Sequence, residues 1–192
     1  MKIGILGGSF DPVHNGHIEM AVFCKEKFNL DKIMLLPLGD PPHKNNITQK
    51  EIRLKMLEAS IKDISDFYIS RLEIDRPGKT YTFDTIKWLK ENTDDQYFYI
   101  IGGDTVSTLH KWYNAQNLFK ILEFIVVDRT DFDNKERSIA EILGAKLYLT
   151  HHSGLDVSST EIRNRVKNGE DIKTLVSPNV EEIIKEYGLY KD

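Results

Sequence analysis

The sequence predicts an α/β fold: a doubly wound, mostly parallel sheet with helices on both faces. Short apolar runs typical of buried strands alternate along the chain with stretches in which apolar residues recur at helical spacing. No internal repeat interrupts this alternation, and 40% hydrophobic residues are enough for a core. We therefore expect one domain, residues 1–192, that ends in a small helical extension at about 158–192.

Each predicted element rests on a local pattern. Thr48 and Glu51 have the spacing of a capping box, Thr82 is the expected cap of the third helix, and Ser177 followed by Pro178 is typical of a helix start. The apolar runs predict strands at 3–6, 33–37, 67–74, 97–101, 124–127 and 147–149. Helical spacing predicts helices at about 17–28, 51–62, 82–91, 114–121, 135–143, 158–169 and 177–188.

Composition restricts the class of protein. The net charge of −4 and the pI of about 5.9 argue against broad, nonspecific binding of nucleic acid. The one cysteine, Cys24, cannot form an internal disulfide and falls on the apolar side of a helix, which favours a reducing compartment and a core role. The first residues lack a signal peptide's pattern, and no apolar stretch approaches the roughly 20 residues that span a membrane. We expect a cytoplasmic protein without nucleic-acid or membrane partners, and its oligomeric state stays open.

The first strand leads directly into a predicted phosphate site. Gly7 and Gly8 end the strand and allow a tight turn beside a ligand. His14 and His17 follow, with His17 in the first turn of the next helix. The N–H groups at a helix start and the helix dipole attract phosphate, and imidazoles can donate hydrogen bonds to it.

A second helix start has the same character. Ser158, Ser159 and Thr160 place hydroxyl groups at a predicted helix N-terminus, and Arg163 adds a planar, permanently charged guanidinium. In a doubly wound sheet, ligands bind at the carboxyl ends of the strands, where these segments are expected to meet. Two opposed helix N-termini would then hold a triphosphate between them, at the edge of a Rossmann-like sheet.

Motifs along almost the whole chain resemble one family. They are Gly7-Gly-Ser-Phe-Asp-Pro12, His14-x-Gly-His17, Pro41-Pro-His-Lys44, Gly78-Lys-Thr-Tyr-Thr-Phe-Asp-Thr85, Gly102-Gly-Asp104 followed by Trp112, and Ser158-Ser-Thr-x-Ile-Arg163. In order and spacing they resemble those of the bacterial nicotinate-nucleotide adenylyltransferases, within the nucleotidylyltransferase superfamily. The resemblance implies transfer of the adenylyl group of ATP to nicotinate mononucleotide, which gives deamido-NAD and pyrophosphate. It also implies Mg²⁺ carried on the ATP phosphates.

The resemblance assigns roles to particular residues. It implies that His14, His17 and Arg163 are catalytic. On the acceptor side it implies that Trp112 stacks on the pyridine ring, that Lys44 pairs with the mononucleotide phosphate, and that the backbone N–H groups of Thr85 and Tyr113 meet the nicotinate carboxylate. Thr82 belongs to the same implied substrate-binding set. The implied ATP-binding residues are Gly7, Gly8, Ser9, Phe10, His14, His17, Gly102, Asp104, Ser158, Ser159, Thr160 and Arg163.

Three features stand apart from this pattern. Arg129-Thr-Asp131 replaces the Arg-Pro-Gly that is common in the family, and Thr80 replaces a serine while keeping its hydroxyl. His151 and His152 resemble metal ligands, but adjacent residues at the end of a strand point to opposite faces, and no partner has ligand spacing. We therefore expect no metal bound by the protein itself.

Other functions would share part of this pattern of motifs. A pantetheine-phosphate or cytidylyl relative would share the phosphate site but lack Trp112 and the run from Thr80 to Thr85. A fragment of a class I aminoacyl-tRNA synthetase would need a lysine-rich loop, which the sequence does not show. An adenylyltransferase acting on nicotinamide mononucleotide or another phosphorylated acceptor stays open, as does a non-catalytic module that senses a nucleotide.

Overall fold

The computed structural model describes residues 1–39, 47–128 and 140–191, and within them it shows a six-stranded sheet. The order is β3-β2-β1-β4-β5-β6, and every neighbouring pair is parallel. This doubly wound arrangement confirms the predicted α/β fold. The strands are β1 (Lys2–Gly8), β2 (Lys32–Pro37), β3 (Phe67–Ile69), β4 (Gln96–Gly102), β5 (Glu123–Asp128) and β6 (Lys146–His151).

Helices cover both faces of the sheet. One face packs against α1, α2, α6 and α7, and the other against α3, α4 and α5. Among the described residues, no helix is long and apolar enough to cross a membrane. The helices are α1 (Asn15–Lys27), α2 (Lys50–Ile61), α3 (Thr82–Asn92), α4 (Gly103–Val106), α5 (Ala115–Ile121), α6 (Ser159–Lys167) and α7 (Pro178–Glu186), with a 3-10 turn at Leu109–Lys111.

Alternation along the strands divides the core into two layers. In β2, Ile33 and Leu35 face the layer of α1 and α2, whereas Met34 and Leu36 face the layer of α3 and α5. All four side chains are at most 3% exposed. A strand buried on both faces is apolar throughout, which is why it appears in the sequence as a continuous apolar run.

The direction of winding reverses between β1 and β4. These strands are neighbours, yet β1 leads to β2 on one side and β4 leads to β5 on the other. Their carboxyl ends, Gly8 and Gly102, therefore open onto a crevice between two loops. The first and fourth strands were both predicted to end at ligand-binding glycines, and the sheet brings these ends to one edge.

Three local predictions are wrong or lie outside the described residues. The third strand ends at Ile69, not residue 74, because the chain turns and the Asp75 N–H donates to the Arg71 carbonyl. The second helix begins at Lys50 after Gln49, so Thr48 does not cap it. Of the helix predicted at 135–143, only residues 140–143 are described, and 140–142 are helical.

Candidate active site

The end of β1, just before the loop to α1, contains a glycine that has no room for a side chain. A Cβ at Gly7 would lie 1.9 Å from the hydroxyl oxygen of Tyr99, which packs from β4. The chain then passes Phe10, whose backbone φ of 48° lies in the left-handed region and whose side chain is 1% exposed. This loop lies at the carboxyl end of the central strand and leads to the two predicted histidines.

The two histidines form a capping box at the start of α1. His14 is the N-cap, and its Nδ1 accepts from the His17 N–H at 3.3 Å. His17 Nδ1 accepts from the His14 N–H at 3.3 Å, and the two rings stack with centroids 3.6 Å apart. Because Nδ1 accepts in both rings, Nε2 carries the proton of each neutral imidazole and is the donor for a ligand.

The start of α6 packs against the same loop. Ser158 caps the helix by accepting from the Glu161 N–H at 3.1 Å, as the sequence predicted. Ser159 Oγ donates to the Pro12 carbonyl at 2.9 Å. Arg163 donates to the Asp11 carbonyl at 2.7 Å and to Thr160 Oγ1 at 3.0 Å. Two segments almost 150 residues apart in sequence therefore form one polar surface.

A cleft of about 750 Å³ opens between these two helix starts. Its walls carry backbone N–H groups, hydroxyls and imidazoles, a combination suited to phosphate and ribose oxygens. Three of the predicted ATP-binding residues do not line the cleft but lie behind or beside the described residues that do: Gly7, Thr160 and Arg163. The predicted ATP-binding residues that line it are Gly8, Ser9, Phe10, His14, His17, Gly102, Asp104, Ser158 and Ser159.

The cleft also contains residues that the sequence analysis missed. Asp128 is the last residue of β5, and Asp156 precedes the cap of α6. Asp128 could have been found, because polar residues at the carboxyl end of a parallel strand are expected to face the ligand. Met20 and Thr105 also line the cleft, and nothing in their sequence context distinguishes them, whereas Gly16 lies within the motif His14-x-Gly-His17.

The predicted acceptor-side residues lie around the start of α3 and the turn before α5. Trp112 is half-buried, with its ring 5.8 Å from that of Tyr99 and 6.4 Å from that of Phe124, both edge-on. Tyr113 is 53% exposed, and its ring lies 4.5 Å from that of Tyr81. Lys44 and Arg129 lie outside the described residues.

The structure changes the roles available to two threonines. Tyr81, not Thr82, occupies the N-cap position of α3, and no side chain caps this helix. The Thr85 N–H already donates to the Tyr81 carbonyl at 3.2 Å, so it is committed to the helix. The first three helical residues, 82–84, are the ones whose N–H groups have no intrahelical acceptor. The N–H groups at the start of α3 that lack an intrahelical acceptor therefore lie one to three residues before Thr85, whose N–H was the predicted carboxylate donor.

Beneath the start of α3 lies a buried acid that the sequence analysis did not single out. Glu73 is 1% exposed, and its Oε1 accepts from Thr85 Oγ1 at 2.9 Å. Arg76 donates to the same hydroxyl at 3.3 Å. Burial raises the pKa of the Glu73 carboxyl above its ordinary value of 4.5. Among the described residues, Glu73 Oε2 and the buried Thr80 Oγ1 have no hydrogen-bond partner.

The paired histidines after β6 lie apart from these sites. His152 stacks on Phe23 with ring centroids 4.3 Å apart, and His151 is exposed. Within the described ranges, no group of three or more His, Cys, Asp or Glu residues is placed to hold a metal ion. Cys24 is fully buried, which raises its thiol pKa to about 12 and agrees with its predicted place in the core.

Comparison with known proteins identifies the family. The model of the cytidylyltransferase-like family matches residues 5–165. A probable nicotinate-nucleotide adenylyltransferase of Clostridium botulinum (strain Alaska E43 / Type E3) is 37% identical over 198 residues, covering 100% of this chain and 98% of its own. One of the same name from Synechococcus sp. (strain JA-3-3Ab) is 40% identical over 197 residues, covering 100% and 95%. This chain belongs to the nicotinate-nucleotide adenylyltransferase family.

Membership in the nicotinate-nucleotide adenylyltransferase family confirms the prediction of a nucleotidyltransferase. A solved structure of Plasmodium falciparum nicotinic acid mononucleotide adenylyltransferase complexed with NaAD superposes with a TM-score of 0.84. It is 24% identical in sequence and covers 98% of this chain and 97% of its own. At that identity the likeness supports the fold, which agrees with the doubly wound sheet described above.

Proposed function

We propose that this chain transfers the adenylyl group of ATP to nicotinate mononucleotide, releasing pyrophosphate and forming deamido-NAD. The observation that carries the proposal is the cleft in which the starts of α1 and α6 face each other at the carboxyl edge of the sheet. Two helix N-termini that point into one cleft suit a polyanion such as a triphosphate. The full-length similarity to relatives of that name supports the choice of acceptor.

The reaction needs little covalent help from the protein. An oxygen of the mononucleotide phosphate attacks the α-phosphorus of ATP, and the bond from that phosphorus to the bridging oxygen of pyrophosphate breaks. The nucleophile is already largely ionised at neutral pH, since the second pKa of a phosphate monoester is about 6. No general base and no covalent intermediate are required. Catalysis then consists of alignment and of stabilising the charge that moves onto pyrophosphate.

The ATP side of the cleft supplies that stabilisation. His14 and His17 donate from Nε2 to the phosphates, with His17 acting at the α-phosphate in the transition state. Ser158, Ser159, Thr160 and Arg163 hold the β- and γ-phosphates at the start of α6. Gly8, Ser9 and Phe10 line the adenosine side with Gly7 supporting the turn, and Gly102 with Asp104 meets the ribose, whose hydroxyls can donate to a carboxylate.

Magnesium belongs to the substrate in this proposal. Mg²⁺ keeps several waters and binds through phosphate oxygens and one or two carboxylates. The cleft fits such a complex: Asp104, Asp128 and Asp156 line it, while the described residues hold no dedicated metal cluster. The ion would arrive with ATP and reduce the negative charge on the triphosphate.

The acceptor side uses aromatic and backbone groups. Trp112 stacks on the pyridine ring, with Tyr113 beside it, and Lys44 pairs with the mononucleotide phosphate as the resemblance implies. The N–H groups of residues 82–84 and the dipole of α3 face the nicotinate carboxylate, in place of the Thr85 N–H. Preference for the acid over the amide then comes from aligned peptide dipoles.

A paired assay tests the proposal. The chain is incubated with ATP and Mg²⁺ and with either nicotinate or nicotinamide mononucleotide, and pyrophosphate and the dinucleotide product are measured. We expect turnover with nicotinate mononucleotide and a clearly lower kcat/KM with nicotinamide mononucleotide. Equal kcat/KM values would contradict the acid preference and support the broader alternative acceptor.

The same assay separates catalysis from nucleotide sensing. A non-catalytic module would bind ATP, seen as heat in a calorimetric titration, yet release no pyrophosphate with either mononucleotide. That result would overturn the proposed function. The presence of His14 and His17 at the start of α1 together with Arg163 on α6 favours an enzyme, because a sensor has no need for groups that act only in the transition state.

A further inference from the structure

The loop Ser9–Pro12 between β1 and α1 has a backbone that is unfavourable in isolation. Phe10 adopts φ of 48° although it is a bulky residue, and its side chain is 1% exposed. A non-glycine residue in the left-handed region costs on the order of 1–3 kcal/mol and persists only when its surroundings hold it. The ring of Phe10 lies edge-on to that of His17 with centroids 5.1 Å apart, so the loop's conformation bears on the site.

Three backbone carbonyls of this loop are held by side chains from distant helices. Arg53 on α2 donates to the Ser9 carbonyl at 2.8 Å. Arg163 and Ser159 on α6 donate to the carbonyls of Asp11 and Pro12, at 2.7 and 2.9 Å. These bonds fix where the loop lies relative to α2 and α6.

The carboxylate of Asp11 ties the loop to a fourth segment. Asp11 is 5% exposed, and its Oδ1 accepts from the hydroxyl of Tyr190 at 2.7 Å. Its Oδ2 accepts from the Thr48 N–H at 3.2 Å. A buried carboxylate is costly without such donors, and a hydrogen bond to a charged group is stronger than one between neutral groups. Tyr190 lies 179 residues from Asp11 in sequence, in the segment after α7.

The hydroxyl of Tyr190 is a hydrogen-bond donor at neutral pH. Burial and the neighbouring Asp11 carboxylate raise the pKa of its phenol far above the ordinary value of 10. Its hydroxyl also lies 3.5 Å from Thr48 Oγ1, so it joins the start of α2 to the loop. The charged groups around it are Asp11 on the loop, Arg53 on α2 and Arg163 on α6.

We propose that Tyr190 is a positioning residue for ATP: through Asp11 it holds the loop Ser9–Pro12 in the strained conformation that receives the nucleotide. Tyr190 does not line the cleft and acts through the loop. The proposal rests on the proposed function for the identity of the nucleotide. The proposal makes the segment after α7 part of the ATP site, although Ser159 is the last residue in the sequence, among those described, that lines the cleft.

The chain offers a matched control three residues away. Tyr187 belongs to the same segment, is 44% exposed, and accepts from Lys55 Nζ at 3.0 Å without touching the loop. Tyr190→Phe and Tyr187→Phe each remove one hydroxyl and leave the ring. Only the first removes a hydrogen bond to the loop.

The experiment measures ATP binding and turnover separately. Calorimetric titration with ATP and Mg²⁺ gives Kd, and steady-state assays give KM for ATP and for nicotinate mononucleotide, all well below the unfolding midpoint of each variant. For Tyr190→Phe we expect Kd and KM for ATP to rise about tenfold, as for one lost hydrogen bond to a charged group. We expect KM for the mononucleotide to stay within about twofold, and Tyr187→Phe to match the unchanged chain.

A double variant checks that the effect passes through Asp11. If Tyr190 acts through that carboxylate, adding Tyr190→Phe to Asp11→Asn should weaken ATP binding no further than the worse single variant. Unchanged ATP affinity in Tyr190→Phe, or strictly additive losses, would overturn the inference. Failure of the unmodified chain to form deamido-NAD would overturn the proposed function, while the calorimetric comparison would still decide the role of Tyr190.

Discussion

The ATP side and the acceptor side of the proposed site differ in how completely their polar groups are hydrogen-bonded. On the ATP side, the loop Ser9–Pro12 is held by Arg53, Ser159, Arg163 and Tyr190 at 2.7–2.9 Å. On the acceptor side, Glu73 Oε2 and Thr80 Oγ1 are buried without a partner in the described ranges, and α3 has no side-chain cap. The ATP side is therefore already arranged for its ligand, whereas the acceptor side retains polar groups whose hydrogen bonds are incomplete.

This difference indicates where specificity can be adjusted. A preorganised phosphate site lowers the barrier because its dipoles need no rearrangement during the reaction. An incompletely paired buried group costs roughly 1–3 kcal/mol, which a partner with the right donor or acceptor can offset. Under the proposed function, the ATP side would supply the chemistry common to the superfamily, and the acceptor side the choice of mononucleotide.

The largest expected effect concerns the capping histidines. His17→Ala should lower kcat by about 10²- to 10³-fold, because it removes a donor that stabilises charge in the transition state. The measurement is steady-state turnover at saturating ATP and mononucleotide. His151→Ala is the matched control, since His151 is an exposed imidazole at the end of β6 and does not line the cleft. Near-normal kcat in His17→Ala would refute the assigned role.

The next expected effect tests how firmly the ATP side is held. Arg53 is 1% exposed and donates to the carbonyls of Thr48, Ser9, Leu38 and Gly39. Arg53→Met leaves those acceptors unpaired and should lower the free energy of unfolding by about 3 kcal/mol or more. Urea unfolding measures this loss.

A matched arginine gives the scale for that loss. Arg71 is exposed and pairs with Asp75 on the surface, so Arg71→Met should change the free energy of unfolding by no more than about 0.5 kcal/mol. Equal losses in Arg53→Met and Arg71→Met would show that the buried guanidinium does not hold the loop.

A smaller effect is expected from the acceptor-side tryptophan. Trp112→Ala should raise KM for nicotinate mononucleotide by up to about tenfold, as for one lost aromatic stacking contact, while Kd for ATP stays constant. Trp112→Phe should restore most of the affinity. Trp88→Ala is the control, because Trp88 is 43% exposed on α3. A parallel loss of ATP affinity would mean that Trp112 only supports the core beside Tyr99 and Phe124.

The smallest expected effect is a dependence of stability on pH. Burial raises the pKa of Glu73 in the folded state above its ordinary value of 4.5. Between these two pKa values the folded chain binds more protons than the unfolded chain, so this group's contribution to stability falls as pH rises through that range. Glu73→Gln should remove that slope and keep the hydrogen bond from Thr85.

Urea unfolding at a series of pH values from 4 upward measures this slope, and Asp75→Asn serves as an exposed control. Asp75 pairs with Arg71 at the surface, and the hydrogen bond from Arg71 lowers the pKa of the Asp75 carboxyl. The unmodified chain and Glu73→Gln should therefore diverge above pH 4.5, in the direction of greater relative stability for the glutamine variant. Parallel curves would place the Glu73 carboxyl in an environment like water.

Much of the site could be predicted because its signals are local. Glycines after an apolar run, histidines three apart and a Ser-Ser-Thr helix start each show their role within a few residues, and most of these residues line one cleft. The errors arose where a tertiary contact competed with a local one. The hydroxyl of Thr48 donates to the hydroxyl of Tyr190 at 3.5 Å instead of capping α2, and Glu73 was predicted to lie in a strand that in fact ends at Ile69.

The sequence by itself determined the strand and helix alternation, and with it the doubly wound sheet and the start of α6 capped by Ser158, because hydrophobic periodicity and capping residues act over a few positions. Only the tertiary structure decided that Tyr190 supports Asp11, that Arg53 holds four backbone carbonyls, and that Glu73 lies beneath α3. Apart from the bond between Arg53 and Thr48, those contacts join residues at least 12 positions apart in the chain. Their strength comes from burial, which no local pattern of residues reveals.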